Sequence, residues 1–468
     1  MVVRPTIREI HPEAFPSDAI LPQVEIATDA GQMLGIFRKY LRRCNGGEYD
    51  IRECVLTRIR HRPSARCILQ YSLLLQHSKT GNERIQWASG VTYPSGRAEH
   101  IWKKLRAAGV TQQVSDSSQP FEPVSFVPEL KMLVQLFPYD HRLPALAQLM
   151  NGNSQEVESG LLAEFGPGNW QINKCTVEPI RYRTGLAAVL RYTVQARQRM
   201  TGEKQYKRFY AKVYRNEDGE EIFGILKAVW DKSEAVGEHF TVGKPIVYLK
   251  NARVILQAEA VGASFQDILV NETDEQGISA ARKIARALAA LHLDDIPTSR
   301  RHTLQDELGV LESRARTLQW ACPELSNSIE SLLRELFATL KVVRPKPTHL
   351  DFKTDHVLVH GDGCALLDFD SFALADPVLD VAHALAQIIG LRFRFPVPHE
   401  RLFRVVEAFK EEYFAHVPGE WRNRLPRLYA GALLKVAVGF FRRQERDWPV
   451  KVSTLMAEAR ASLDRRSE

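Results

Sequence analysis

Residues 348–370 read Thr-His-Leu-Asp-Phe-Lys-Thr-Asp-His-Val-Leu-Val-His-Gly-Asp-Gly-Cys-Ala-Leu-Leu-Asp-Phe-Asp. Two short apolar runs, 357–359 and 364–367, flank His-Gly-Asp-Gly at 360–363, a composition suited to a hairpin turn. Pairing Val359 with Cys364 sets Asp355 and His356 beside Leu367 and Asp368, with Asp351 in the loop just before the hairpin. Two carboxylates, Asp351 and Asp368, and one histidine, His356, are thereby gathered at one end of the hairpin.

That gathering suits phosphoryl transfer. One carboxylate positions an attacking hydroxyl and accepts its proton, while another holds the Mg2+ that bridges nucleotide phosphates. A lone aspartate in such a stretch is more often a turn or cap residue, but a pair brought together by one hairpin is a poor fit to that role.

Outward from the hairpin, the chain from about residue 266 has helical periodicity. Residues 280–292 form an Ala/Leu-rich amphipathic pattern, and helices are predicted over 303–341, 379–391, 399–414 and 426–442. Before residue 266 the pattern is that of strands. Residues 175–183, 187–194 and 206–214 alternate, with turns at Thr184-Gly185 and Thr201-Gly202. A helix over 220–230 and strands at 246–249 and 253–259 complete a small sheet lobe. A sheet lobe followed by a larger helical lobe, with a cleft between, is the predicted α+β architecture.

A shift of 121 residues lays Gly47–Tyr93 over Gly168–Tyr214 without a gap, with eleven of the 47 positions identical. Among the matched pairs are Cys54/Cys175, Ile59/Ile180, Arg60/Arg181, Arg62/Arg183, Leu69/Leu190 and Tyr71/Tyr192. The register then slips by one, so that Leu133-Val134-Gln135 meets Ile255-Leu256-Gln257. This duplication predicts three units: a small-lobe-like domain over 1–150, a small lobe over 151–265, and a helical large lobe over 266–468. The stretch 151–168, rich in Gly, Asn and Ser, is the expected seam between the copies.

Composition sets the bounds. With 44% apolar and 25% charged residues among 468, this is the balance of an ordinary globular chain. The start has no apolar signal-like region and no run reaches 18 apolar residues, so a cytoplasmic location without a membrane span is expected. The six cysteines show no metal-ligand spacing and are expected to be buried in a reducing compartment. The net charge of +7 is spread out, with a modest cluster at Arg442, Arg443 and Arg446. We read it as a solvated basic surface, with no motif for nucleic acid.

The motif resembles the aminoglycoside phosphotransferase and choline kinase family, whose fold is bilobal and protein-kinase-like. That family carries His-Gly-Asp, four residues, Asn, then Ile-Asp-Phe, then Gly-Asp-Pro followed by Asp-Leu-Ala. Here the run is His-Leu-Asp, His356, Leu-Asp-Phe and Ala-Asp-Pro-Val-Leu-Asp-Val-Ala over 375–382. The resemblance implies that Asp351 is the catalytic aspartate, His349 the histidine bracing its loop, and Asp368 the metal-binding aspartate. Asp376 and Asp380 also suit capping of the following helix and are expected to support rather than react.

The resemblance extends back to about residue 170. It implies that Lys212 contacts nucleotide phosphates, with Glu221 (in competition with Glu220) as its partner. It also implies that the backbone of Gln257–Glu259 receives adenine, and that the loop of the Tyr182–Tyr192 hairpin is a glycine-poor phosphate cradle. Expected cofactors are ATP and Mg2+ or Mn2+.

Two departures matter. His356 replaces the metal-binding asparagine, and imidazole nitrogen suits Mg2+ poorly. His356 then either coordinates a softer ion such as Mn2+, or only hydrogen-bonds and leaves the metal to Asp368 with Asp355 or Asp370, or marks a site that has lost catalysis. In the first copy, Val91 stands at the position of Lys212 and His100 at that of Glu221, so this copy should not bind nucleotide. A cap, a substrate-side wall or a homodimer surface are its candidate roles. The leading expectation is ATP-dependent phosphorylation of a small-molecule hydroxyl on a sugar, amino alcohol, aminoglycoside or other metabolite. The alternative is a catalytically silent nucleotide-binding or regulatory protein.

Overall fold

The computed structural model describes residues 15–44, 48–109, 120–152, 154–236, 239–361 and 363–464. Two short helices, α1 (Gln23–Thr28) and α2 (Ala30–Tyr40), precede a first sheet. Its strands are β1 (Tyr49–Arg62), β2 (Arg66–His77), β3 (Glu83–Thr92), β4 (Val124–Val127) and β5 (Met132–Leu136), with α3 (Arg97–Ala107) after β3. Helices α4 (Leu146–Met150) and α5 (Gln155–Ala163) then lead to β6 (Trp170–Arg183), β7 (Ala187–Gln198) and β8 (Lys204–Tyr214). After α6 (Asp218–Val236) come β9 (Phe240–Thr241), β10 (Pro245–Leu249) and β11 (Val254–Ala258).

The two large sheets have orders β1-β2-β3-β5-β4 and β6-β7-β8-β11-β10, the same order by position. Their registers correspond as well: Leu69 pairs with Gly90 as Leu190 pairs with Ala211. Val91 pairs with Leu133 as Lys212 pairs with Ile255. Side chains alternate across a strand, so one pattern of apolar positions is sufficient to bury the same face twice. The stretch 151–168, which lies between the two sheets, holds α5. Ser154 caps that helix by accepting from Val157 N, and Val157 and Leu161 are buried. Its small and polar residues mask this apolar face in the sequence.

The remainder is mostly helical. Strand β12 (Ala263–Ser264) leads to α7 (Phe265–Asn271), α8 (Asp274–Leu293), α9 (Leu304–Ala321) and α10 (Ser326–Thr339). The helix predicted over 303–341 is thus broken in two, because Pro323 cannot continue α9 beyond Cys322. Four short strands follow: β13 (Lys346–Thr348), β14 (Val357–His360), β15 (Gly363–Leu366) and β16 (Ala373–Ala375). The chain closes with α11 (Val378–Gly390), α12 (His399–Ala415), α13 (Leu425–Arg442) and α14 (Trp448–Asp464). Among the described residues no helix is long and apolar enough to cross a membrane.

The first sheet is docked onto both later parts. His61 and Trp320 have ring centroids 4.8 Å apart, beside Phe15 and Phe441. Gln70 Nε2 donates to Thr184 Oγ1 (3.0 Å), and Arg60 donates to the Thr184 carbonyl (3.2 Å). Cys54, Cys67, Cys322 and Cys364 are buried as expected, but Cys175 is exposed on β6, an edge strand.

Candidate active site

The predicted hairpin forms: Val359 pairs with Cys364 and Val357 with Leu366, and Leu367 N donates to the His356 carbonyl (2.9 Å). Of its expected turn residues, Asp362 lies outside the described residues. Strand β13 pairs with β16, so the loop from His349 to His356 and the loop from Leu367 to Phe372 run between the same two strand pairs. This topology, rather than sequence proximity, sets the two acidic loops side by side.

Each loop is pinned from below. The wholly buried Asp380 carboxylate accepts from His349 N (2.6 Å) and Leu350 N (2.7 Å), and lies 3.1 Å from His292 Nε2. Leu350 has φ of 61°, a left-handed conformation that is costly for a side chain with a Cβ. The two amide bonds to Asp380 hold it there. His349 Nε2 donates to the Leu367 carbonyl (2.9 Å), tying one loop to the other. Asp376 accepts from Val378 N and is bidentate with Arg424 (2.9 and 3.0 Å). Both Asp376 and Asp380 are supports, as their positions at the start of α11 imply.

Asp351, His356 and Asp368 each direct one ligand atom to a common point, these atoms lying within 4.8 Å of one another. His356 Nδ1 donates to the Asp351 carbonyl (3.0 Å), which leaves the Nε2 lone pair free. That Nε2 is buried without a hydrogen-bond partner and lies 3.6 Å from Asp368 Oδ2, too far for a hydrogen bond. Metal–ligand bonds of about 2.1 Å can bridge such a gap. The donor set therefore fits a divalent cation, with the imidazole favouring Mn2+ or another borderline ion over Mg2+. Burial keeps His356 below the usual histidine range, and nearby Lys353 acts in the same sense, so the ring is neutral as a ligand must be.

Lys212 points into the site from β8. Its ammonium lies 2.5 Å from Asp368 Oδ1 and 2.7 Å from Asp370 Oδ1, and Tyr214 OH also donates to Asp370. Burial opposes the lysine charge, but the two carboxylates outweigh it and raise its pKa. Asp368 is likewise held far below the carboxylate range: burial would raise it, and Lys212, His356 and Arg181 more than reverse this.

Glu221 is not the partner of Lys212. It is exposed on the first turn of α6 and accepts from Ser299 Oγ (2.7 Å), while Glu220 pairs with Lys250. Asp368 and Asp370 approach Lys212 instead, from the loop after β15. The expected adenine contacts are also partly engaged. Ala258 N and Glu259 N donate to the carbonyls of Lys244 and Arg208, and Gln257 Nε2 donates to the Gly243 carbonyl. The Thr184-Gly185 turn is no open phosphate cradle, because Asp140 fills it by accepting from Gly185 N (2.6 Å) and Tyr182 OH (2.9 Å).

Three neighbours of Asp351 or Asp368 went unread in the sequence. Lys353 Nζ lies 2.7 Å from Asp351 Oδ2 and, against the raising effect of burial, lowers the Asp351 pKa together with His356 and His383. Arg181 lies 3.6 Å from Asp368 Oδ2. His383, on α11, is partly buried at the wall of the cleft beside Asp351 and held neutral, its pKa pushed down to about 4 chiefly by loss of hydration. Lys353 was visible as the residue two after Asp351, and Arg181 as half of a duplicated pair; His383 gives no sequence signal beyond its place on an apolar helix.

The comparisons with known proteins bear on this region. Residues 257–426 match the model of the phosphotransferase enzyme family. The matched segment carries both acidic loops. No curated protein is significantly similar in sequence. Among solved structures, a putative aminoglycoside phosphotransferase from Ralstonia eutropha is 13% identical, with 66% of this chain and 99% of that one covered and a TM-score of 0.47. Choline kinase from Cryptosporidium parvum is 11% identical over 66% of this chain and 96% of that one, with the same TM-score of 0.47. A macrolide 2'-phosphotransferase from Brachybacterium faecium is 16% identical over 67% of this chain and all of its own, with a TM-score of 0.38.

Proposed function

We propose that the protein transfers a phosphoryl group from ATP to the hydroxyl of a small molecule. The observation that carries this reading is the convergence of Asp351, His356 and Asp368 within 4.8 Å, on a segment of the phosphotransferase family. Asp351, ionised at neutral pH, orients the acceptor hydroxyl and takes its proton as the new oxygen–phosphorus bond forms and the bond to the leaving nucleotide oxygen breaks. Lys353 fixes that carboxylate. Lys212 brings an ammonium to the nucleotide phosphates, and Asp368 with His356 would hold a divalent cation. Such a cation supplies neutralisation of phosphate charge when bound.

The test is Asp351→Asn. Turnover, read as ATP consumption across a panel of hydroxyl compounds with Mg2+ or Mn2+, should fall by about 10²–10⁴-fold. Nucleotide affinity, read by calorimetry, should stay within a few-fold of wild type. Equal turnover in the variant would remove Asp351 from the role.

A further inference from the structure

Beside Asp351 opens a cleft of about 670 Å3, within the size range of small-molecule sites. Nine arginines and two lysines line it, against two carboxylates, Asp351 and Glu307. Both carboxylates are already matched: Asp351 by Lys353 at 2.7 Å, and Glu307 by Lys435 at 2.6 Å. The arginines are left largely without counter-charge.

Six of the nine arrive from four elements, while Arg300 and Arg301 precede α9 and Arg443, paired with Glu445, follows α13. Arg58 and Arg60 come from β1, and Arg181 and Arg183 from β6; each pair is separated by one residue and so shares a face of its strand. Arg314 comes from α9 and Arg442 from α13. Buried atoms Arg183 Nε, Arg300 Nη1 and Arg442 Nε have no hydrogen-bond partner. Burial, then mutual repulsion, pushes Arg58 and Arg60 down to about 10 and Arg442 to about 9. Holding like charges together away from water is unfavourable unless an anion joins them, and guanidinium groups match phosphate oxygens in pairs. The sequence suggested a solvated basic surface with a cluster at Arg442, Arg443 and Arg446; the structure folds Arg442 and Arg443 into a walled cleft and leaves Arg446 exposed.

Position identifies which ligand. The cleft is walled by Asp351 and Lys353 but by neither Lys212 nor Asp368, so it opens on the hydroxyl side of the site rather than the nucleotide side. We propose that the acceptor is itself a phosphorylated hydroxyl compound, whose phosphate is received by the arginines of this cleft while its hydroxyl reaches Asp351. This rests on the phosphotransfer reading and gives it a substrate class. It also gives the first sheet a part in the site, since Arg58 and Arg60 form one wall. A cationic acceptor such as a quaternary amine would meet repulsion from the same wall.

The test is calorimetry on the whole chain at low salt, with saturating ADP present to fill the nucleotide side. The probes are tripolyphosphate, ribose 5-phosphate and ribose. Tripolyphosphate and ribose 5-phosphate should bind and ribose should not, with affinity falling as salt rises. Arg60→Gln combined with Arg183→Gln should weaken anion binding at least about tenfold, a loss of roughly 1.4 kcal/mol. Lysine at both positions should restore part of it, and ADP affinity should change little in either variant. Absence of tripolyphosphate binding, insensitivity to the arginine changes, or a parallel loss of ADP affinity overturns the proposal. ATP consumption with a neutral polyol but not its phosphate ester overturns it too, while leaving phosphotransfer intact. Unchanged turnover in Asp351→Asn strikes the phosphotransfer reading alone, because the anion cleft is read by binding.

Discussion

His356 is where a single side chain decides the chemistry of the site. An asparagine there would offer a hard carbonyl oxygen; the imidazole offers nitrogen, already turned towards Asp368 because Nδ1 is committed to the Asp351 carbonyl. That commitment is a backbone contact, so it survives any rearrangement of the Asp351 side chain. Replacing His356 with Asn should therefore shift cation preference and not abolish it. We expect Mn2+ affinity, followed by electron paramagnetic resonance, to fall about tenfold or more. Mg2+-supported ATP consumption should rise relative to that with Mn2+. Retention of the wild-type ratio would mean that the ring only hydrogen-bonds.

At the scale of elements, the site depends on α11 holding loops it does not belong to. Asp380 accepts from two successive amides and abuts His292, which in turn bonds Tyr413 on α12 at 2.7 Å. Asp380→Asn removes the charge and forces an NH2 group towards an NH donor, so the buried network loses more than one bond. The expected cost is about 2–4 kcal/mol in denaturant unfolding, with turnover falling far more than nucleotide affinity. Asp376→Asn, at a carboxylate only partly buried beside Arg424, should cost less. This support was legible in the sequence, because an aspartate before proline and another four residues on mark the start of a helix. The hairpin register was legible for a similar reason: two short apolar runs about a glycine turn set Val359 opposite Cys364. The partner of Lys212 was not, because Asp368 and Asp370 lie far from it in sequence and only the fold sets them beside β8. The strand predicted over 253–259 forms as β11, yet its hydrogen bonds could not be counted before its neighbours were known.

On the scale of the whole molecule, repetition in the sequence made the strands of the first sheet readable but gave no hint of where that sheet docks. Docking is made by residues with no shared pattern: Phe15, His61, Trp320 and Phe441 meet from four separate stretches. The arginine cleft was hidden for the same reason, since its walls come from strands and helices far apart in the chain. Two histidines lie near these junctions, His61 buried beneath the docked sheet and His383 partly buried in the cleft wall with Asp351. Both are held below the ordinary histidine value, chiefly by burial. The Asp18 carboxylate at 2.9 Å opposes this for His61; Asp351 and Asp380 oppose it for His383, where Lys435 and Lys353 reinforce it. Above about pH 6.5 neither folded nor unfolded chain protonates them, and they leave stability unchanged. Below that the unfolded chain takes up protons that the folded chain refuses, so stability must fall with pH. For His383 the window runs from about 6.5 down to about 4, and the loss across it is about 3 kcal/mol. The melting temperature should therefore drop steadily over that interval, and His383→Gln should flatten the slope while lowering stability at pH 7. A wild-type melting temperature that is level between pH 6.5 and 4, or a slope unaltered in His383→Gln, would show that His383 accepts a proton in the folded protein.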